Sequence, residues 1–180
     1  ISVQNLSNRR IRRYLVCRLK RPEARGFSHV RFTKLSIKAG LSVVFCYRKE
    51  MGAEPEMMHV EAVDREGLRR RVKDPFYQNT TSILAMENDQ VLGRIEYHFY
   101  GCMQDGYRMA YVDWVYVLPE ARHKGVAQGL FQEMEKDCRK HGINQYYLIR
   151  ATNPNADKFY HSFENAELDE EPFLRKELKE

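Results

Sequence analysis

The residues from Tyr111 to Leu130 have the pattern of a strand, a short turn and the start of a helix. The first part, YVDWVYVL, is rich in valine and aromatic residues, as buried strands are, and Pro119 then removes a backbone donor and ends the pairing. The turn and the start of the helix follow as ARHKGVAQGL. Because the first N–H groups of a helix have no partner within it, this order of elements presents several free amides at one edge of a sheet.

The turn from Arg122 to Ala127 has the features of an anion site. Gly125 lacks a Cβ atom and lets an oxygen approach the main chain closely, and Ala127 is nearly as small. The free amides and the dipole of the helix favour negative charge there, and the side chains of Arg122 and Lys124 add positive charge. The turn predicts phosphate binding. Taken alone, it is also compatible with a helix that merely begins at a glycine.

A second block, NPNADKFY at residues 153–160, follows downstream. With Arg122, Gly125 and Ala127 in the pattern Arg-x-x-Gly-x-Ala, and this block matching Asn-x-x-Ala-x-x-Phe-Tyr, the chain resembles the GNAT superfamily of N-acetyltransferases. The resemblance is specific from about Tyr111 to Phe163. Beyond it, Glu164-Asn165-Ala166 stands where many relatives have a Gly-Phe pair, and Asn165 can adopt the left-handed conformation that closes a helix.

The resemblance implies an enzyme that transfers an acetyl group from acetyl-coenzyme A to a primary amine of a small-molecule or peptidic acceptor. The pantetheine arm would pair with the main chain of Val115 to Val117 where the sheet splays, and the pyrophosphate would meet the turn. Asn153 would reach the pantetheine. The residues expected to bind the coenzyme are Val115, Tyr116, Val117, Arg122, His123, Lys124, Gly125, Val126, Ala127, Asn153 and Tyr160.

The resemblance also implies that Tyr160 lies near the sulfur as the general acid, a role for which a phenol is suited because it can protonate a departing thiolate. Without the family, its helical spacing from Ala156 and Phe163 would indicate a core aromatic residue instead.

Two carboxylates are candidates for the general base. Asp113 alternates with Val115 and Val117 along one strand face, which would place it in the cleft, although a bulge would reverse that phase. Glu96 in the neighbouring strand is the other candidate, and proton transfer through water is a third route. The same carboxylates, beside the aromatic run Tyr97, Phe99 and Tyr100, predict a cationic acceptor.

The remaining pattern predicts the fold. The predicted strands are His29–Lys34, Ser82–Glu87, Val91–Tyr100, Arg108–Leu118 and Ile143–Thr152, with one or two edge strands in Glu167–Leu178. The predicted helices run from Ser36 to about Gly52, from Val60 to Val72, from the turn at Arg122–Ala127 to Gly142, and from Asn153 to about Phe163. A strand, helix, strand order implies a right-handed crossover and a parallel pair around Val112 and Gln145. The prediction is an α/β (α+β) fold, a mixed and mostly antiparallel sheet with helices on both faces, as in GNAT acyl-CoA N-acyltransferases.

The charge of the chain is concentrated at its start. Residues 1–28 hold eight basic groups and one acid, Glu23, so the rest of the chain is slightly acidic although the whole carries +5. We therefore predict a basic N-terminal extension, 1–28, before an acetyltransferase domain, 29–180. Nucleic acid is not an expected partner of the domain, but a non-catalytic module whose basic arm binds RNA or another polyanion is the alternative function.

The four cysteines, Cys17, Cys46, Cys102 and Cys138, are isolated and lack the spacing of metal ligands or of a disulfide framework, so no metal is expected. The chain has no apolar run of membrane-spanning length and no signal peptide pattern, which predicts a cytoplasmic protein without a membrane partner. A homodimer is left open.

Overall fold

The computed structural model describes residues 29–36, 48–57, 64–143, 145–151, 153–168, 174 and 176. These residues fall into two compact units that divide after Ile149, and each unit is described by itself. The basic segment 1–28 and residues 37–47 of the helix predicted after Ser36 lie outside the described residues, and the division into extension and domain stays a prediction.

Five strands form one mixed sheet in the order β1-β2-β3-β4-β5. They are β1 (Arg31–Ser36), β2 (Thr80–Glu87), β3 (Gln90–Gly101), β4 (Arg108–Val117) and β5 (Gln145–Leu148). The first four pair antiparallel, and β5 is parallel to β4, with Val112 opposite Leu148. The predicted α/β (α+β) class and the parallel crossover are confirmed. β5 is shorter than the predicted Ile143–Thr152 because its ladder with β4 ends at Leu148.

The turn between β2 and β3 is built for a tight hairpin. Asn88 and Asp89 both have positive φ, 47° and 59°, which are the angles that a two-residue turn between antiparallel strands favours. Asn and Asp tolerate this region better than other residues with a side chain. The predicted hairpin is confirmed, with Gln90 already paired to Glu87.

Three helices have caps that explain their ends. They are α1 (Arg65–Lys73), α2 (Val126–Lys140) and α3 (Pro154–His161), and residues 48–53 are also helical. The side chain of Asp64 accepts the N–H of Gly67, so α1 begins at Arg65 and not at the predicted Val60. Gly142, with φ 68°, follows the end of α2 as predicted. The predicted edge strands of 167–178 fall largely outside the described residues.

The helix α2 covers one face of the sheet. Its apolar residues recur at helical spacing, and those predicted to face the sheet are buried, namely Val126, Leu130, Phe131, Met134 and Cys138. Burial raises the pKa of the Cys138 thiol to about 11. On β3, Ile95 and Tyr97 point towards α2, and the Tyr97 hydroxyl donates to Asp137 at 2.6 Å. Each fully buried large side chain contributes about 1.5–3 kcal/mol to folding.

A buried ion pair lies on the face of the sheet opposite α2. Because side chains alternate along a strand, Arg94 and Glu96 of β3 point away from α2. Arg94, 2% exposed, donates through Nε to Glu50 at 2.9 Å and through Nη2 at 3.0 Å. Glu50 belongs to the helical residues 48–53, so this pair holds them on the face opposite α2. Helices therefore lie on both faces, as predicted.

We predict that Gly93→Ala destabilises the protein. A Cβ atom at Gly93 would lie 2.7 Å from the carbonyl oxygen of Tyr116, a backbone atom that cannot move alone, so we expect a loss of about 1–3 kcal/mol. Gly52→Ala is the matched control, since a Cβ there meets no atom within 4 Å and helix propensity favours alanine. Urea denaturation measures both; equal stability of the two variants would contradict the packing of β3 against β4.

Candidate active site

The strand β4 contains a bulge at Asp113. Tyr97 pairs with Val112 and Glu96 pairs with Trp114, so Asp113 has no partner in the β3–β4 register. The extra residue reverses the alternation of side chains, and the expectation that Asp113 shares a face with Val115 and Val117 is wrong. Asp113 is exposed.

The charge of Asp113 affects the pKa of the neighbouring Tyr111. Burial, followed by the nearby charge of Asp113, raises the pKa of the Tyr111 phenol. Tyr111 contacts His98, whose side chain points away from α2, at 5.4 Å between ring centres. The carboxylate of Asp113 is therefore close enough to Tyr111 for its charge to act on the phenol.

The sheet splays directly after the bulge. The parallel ladder ends where Val112 pairs with Leu148, and within the described part of the chain residues 113–117 pair with β3 alone. The main chain from Val115 to Val117 therefore has an open side, which an extended ligand can bond in the manner of an added strand. This open edge is where the sequence predicts the pantetheine arm.

The turn after β4 presents its amides together. Gly125 has φ 73° and His123 has φ 59°, and this left-handed backbone turns the chain sharply into α2. Within α2, the first backbone N–H that donates to this turn is that of Gly129, whose acceptor is the carbonyl of Gly125 at 3.0 Å. The amides of residues 123–128 have no backbone or side-chain acceptor among the described residues. A helix N-terminus of this kind binds phosphate.

Arg122 is held inside the site by Glu54. Its Nη1 donates to Oε1 of Glu54 at 3.1 Å, its Nη2 to Oε2, and its Nε to the carbonyl of Val117 at 3.0 Å. The hydroxyl of Tyr116 donates to the same carboxylate at 2.6 Å. The hydrogen bonds from Arg122 and then Tyr116 lower the pKa of Glu54. The charge of Arg122 is thus paired with Glu54, whereas the sequence indicated only a charge at the rim of the turn.

Glu54 is a residue that sequence reasoning missed. It ties together Tyr116 near the end of β4 and Arg122 at the start of the turn, although it precedes them by 62 and 68 residues. An acidic residue after a helical segment carries no signal of such a partner.

The second candidate base, Glu96, is in an ionic network. Its Oε2 accepts from Nη1 of Arg94 at 2.9 Å and from Oγ of Ser82 at 2.8 Å, and its side chain is 16% exposed. Asp113 is exposed, so the two carboxylates differ in their access to an acceptor.

The predicted aromatic run does not form one surface. Tyr97 is fully buried against α2, and Phe99 lies on the same side, where its ring contacts His141 at 5.2 Å. Tyr100 points to the other face, because the alternation of β3 is regular over these residues. The expectation that all three border one acceptor site is wrong.

The second unit contains α3 and Tyr160. The side chain of Asn153 accepts the N–H of Ala156 at 3.0 Å, which leaves its amide nitrogen for a ligand. Tyr160 is half-buried against Phe159 and Phe163, and burial raises the pKa of its phenol. Asn165 has φ 63°, so the expected left-handed residue after this helix is present.

Among the described residues, no group of three or more histidine, cysteine, aspartate or glutamate side chains has the arrangement of a metal site. No helix in the described ranges has the length and apolar character needed to cross a membrane.

Comparison with known proteins identifies a family. The model of the acetyltransferase (GNAT) family matches residues 47–164. No curated protein matches the chain by sequence.

Solved structures share the fold at low sequence identity. An aminoglycoside acetyltransferase from an uncultured soil metagenomic sample, in complex with sisomicin, is 14% identical with a TM-score of 0.72, over 84% of this chain and 97% of that one. The ribosomal-protein-alanine N-acetyltransferase of Brucella melitensis biovar Abortus 2308 is 16% identical, with a TM-score of 0.62, over 82% and 99%. A predicted acetyltransferase from Clostridium acetobutylicum with acetyl-CoA is 16% identical, with a TM-score of 0.61, over 81% and 96%.

We predict that Glu54→Gln lowers the free energy of unfolding at neutral pH by about 1–3 kcal/mol. The variant loses the charged carboxylate that accepts hydrogen bonds from Arg122 and Tyr116. The pKa of Glu54 in the folded protein lies below 4.5, so its stabilisation is complete above that pH and is lost as the pH falls through the lower folded pKa. The difference in free energy of unfolding between this variant and wild type, measured by urea denaturation, should therefore become smaller as the pH falls from about 6 to about 3.

Glu56→Gln is the matched control, since Glu56 is an exposed acid on the neighbouring turn, and we expect its stability to follow wild type. A deficit of Glu54→Gln that stays constant over this pH range would contradict the ionic role of Glu54.

Proposed function

Because the chain belongs to the GNAT acetyltransferase family, we propose that it transfers an acetyl group from acetyl-coenzyme A to a primary amine of a small-molecule or peptidic acceptor. The observation that carries the proposal is the meeting of two features at the end of β4. The open edge of Val115 to Val117 leads directly into the turn of residues 122–127, whose amides point out of the start of α2.

The residues present fit the coenzyme. The main chain of Val115, Tyr116 and Val117 would bond the pantetheine arm, and the amides of residues 123–127 would meet the pyrophosphate. The side chains of Tyr116 and Val126 take no part, because Tyr116 bonds Glu54 and Val126 is buried. Arg122 supports the turn through its bond to the carbonyl of Val117. By its match to the family's pattern, the amide nitrogen of Asn153 would be a further donor for the pantetheine.

Acetyl-coenzyme A supplies an activated thioester, so the protein contributes position and proton transfer. The attacking amine forms the new C–N bond while the C–S bond breaks; the amine loses one proton, and the departing thiolate gains one. We assign the proton donor as Tyr160, because its block matches the Asn-x-x-Ala-x-x-Phe-Tyr segment of the family. We assign the proton acceptor as Asp113, because it is exposed at the splay, whereas Glu96 already bonds Arg94 and Ser82.

The solved structures that share this fold support an amine acceptor. One neighbour is an aminoglycoside acetyltransferase in complex with sisomicin, and another is a ribosomal-protein-alanine N-acetyltransferase. For this chain, the exposed carboxylate of Asp113 favours an acceptor that arrives as a cation and loses a proton before attack.

We predict that Gly125→Glu abolishes binding of acetyl-coenzyme A, measured by calorimetry, because the new side chain adds bulk and negative charge beside the free amides. Gly142→Glu is the matched control. Gly142 has φ 68°, close to the 73° of Gly125, so the backbone strain is similar, but it lies at the other end of α2. Loss of binding in both variants, or in neither, would contradict the assignment of the pyrophosphate to residues 122–127.

We predict that Tyr160→Phe keeps its affinity for acetyl-coenzyme A and loses about 10²–10⁴-fold in turnover, since only the acidic hydroxyl is removed. Steady-state kinetics with an acceptor found by screening amines measures the effect. Tyr77→Phe, on the turn that follows α1, is the control and should match wild type. Wild-type turnover of Tyr160→Phe over the whole pH range would show that Tyr160 only packs in α3.

A further inference from the structure

Four aromatic side chains form a continuous surface across β3, β4 and β5. We name this the aromatic surface, and it consists of His98, Tyr100, Tyr111 and Tyr147. Tyr111 lies at the centre, with ring centres 5.4 Å from His98 and 5.0 Å from Tyr147. Tyr100 meets the edge of Tyr147 at 6.1 Å. Tyr100 and Tyr147 are 37% and 46% exposed, so a ligand can reach them.

The aromatic surface lies on the face opposite α2. Tyr146, the neighbour of Tyr147, points towards α2, where its hydroxyl donates to Glu135 at 3.1 Å. Phe99 likewise points towards α2 and contacts His141. By alternation, Tyr147 and Tyr100 point the other way. The aromatic surface therefore faces away from α2, and the charge of Asp113 acts on Tyr111 at its centre.

The charges beside the aromatic surface favour a cation. Asp113 is exposed and follows Val112, where the pairing of β4 with β5 ends. Asp105 is also exposed, in the loop after β3, where it accepts from Sγ of Cys102 at 3.6 Å. The guanidinium of Arg108, at the start of β4, instead donates to the carbonyl of His141 at 3.4 Å, on the side of α2. The faces of tyrosine rings attract organic ammonium groups, and the nearby carboxylate of Asp113 strengthens that preference.

The spacing along β4 suggests a ligand with two amines. Tyr111 precedes Asp113 by two residues, which is about 7 Å at the rise of a strand. An amine that gives its proton to Asp113 can therefore carry a second ammonium group, a few carbons away, over Tyr111 and Tyr147. A monoamine of the same length would place a methyl group there and gain no cation–π contact.

We propose that the aromatic surface binds a second, protonated ammonium group of the acceptor, which selects alkyl diamines and longer polyamines over monoamines. This inference rests on the proposed function for its acceptor, but the binding of a cation to the surface does not depend on catalysis. The ammonium on the rings stays charged throughout, while the other amine enters the reaction as a neutral nucleophile.

The first experiment measures cation binding alone. Tetramethylammonium, which has no transferable proton, is titrated against wild type, Tyr147→Leu and Phe76→Leu by saturation-transfer NMR. Phe76 is 81% exposed on the turn after α1, outside the aromatic surface, so its loss is the matched control. We expect Tyr147→Leu to raise the dissociation constant about two- to fivefold and Phe76→Leu to leave it unchanged. Equal binding by wild type and Tyr147→Leu would overturn the inference, whatever the enzyme acetylates.

The second experiment compares kcat/KM for cadaverine and hexylamine, which differ in that one ammonium group is replaced by a methyl group. We expect wild type to prefer cadaverine, and Tyr147→Leu to lose about two- to fivefold of that preference through cadaverine alone. An unchanged preference in Tyr147→Leu would overturn the role of the surface in selecting the acceptor. If tetramethylammonium binding depends on Tyr147 but neither amine is acetylated, the cation site stands and the acceptor class is wrong.

Discussion

One extra residue in β4 determines the layout of the candidate site. Up to Val112, β4 is paired on both sides, with β3 and β5. After the bulge at Asp113 it is paired with β3 alone, and its side chains have exchanged faces. The bulge therefore separates the sheet into a closed half, which carries the aromatic surface, and an open half, which leads to the turn of residues 122–127. Asp113 lies at the boundary between the two halves.

Ionic contacts on both faces hold this arrangement in place. Away from α2, Glu50 fixes Arg94, which in turn bonds Glu96, and Glu54 fixes Arg122. On the side of α2, Lys34 donates to Asp137 at 2.6 Å, and Asp137 also accepts from Tyr97. Burial tends to raise the pKa of Asp137, but the hydrogen bonds from Lys34 and Tyr97 outweigh it and lower the pKa. A buried charge that loses its partner costs far more than the intact pair contributes, so these pairs constrain which helix meets which strand.

Local chemistry made most of the fold predictable. Turn residues at Asn88 and Asp89, the glycines at both ends of α2, and the capping Asn153 each act over a few residues, so their effects can be read from the sequence. The sharp turn after β4 and the end of its pairing with β5 were predictable with the help of the family resemblance. The roles of Tyr160 and Asp113 stay predictions.

The features that the sequence could not show depend on contacts between residues far apart in the chain, or on an interruption of the two-residue alternation along a strand. A period-two pattern cannot reveal that Asp113 is an inserted residue, because Trp114 after it fits a strand equally well. Arg94 in the middle of a strand contradicts the apolar pattern, and its partner Glu50 is 44 residues earlier. Tyr97, Phe99 and Tyr100 are close in sequence, yet only the packing of α2 decides which of them is buried.

The two-residue turn at Asn88 and Asp89 has a consequence for the order of folding. It joins β2 to β3 with almost no loop to close, and the loop of residues 102–107 joins β3 to β4 at a similarly small entropic cost. β5 can join only after the chain has passed through the whole of α2, because a parallel pair needs a long crossover. We therefore expect the meander β2–β3–β4 to form the nucleus, with the bulge already in it, before β5 docks and creates the splay.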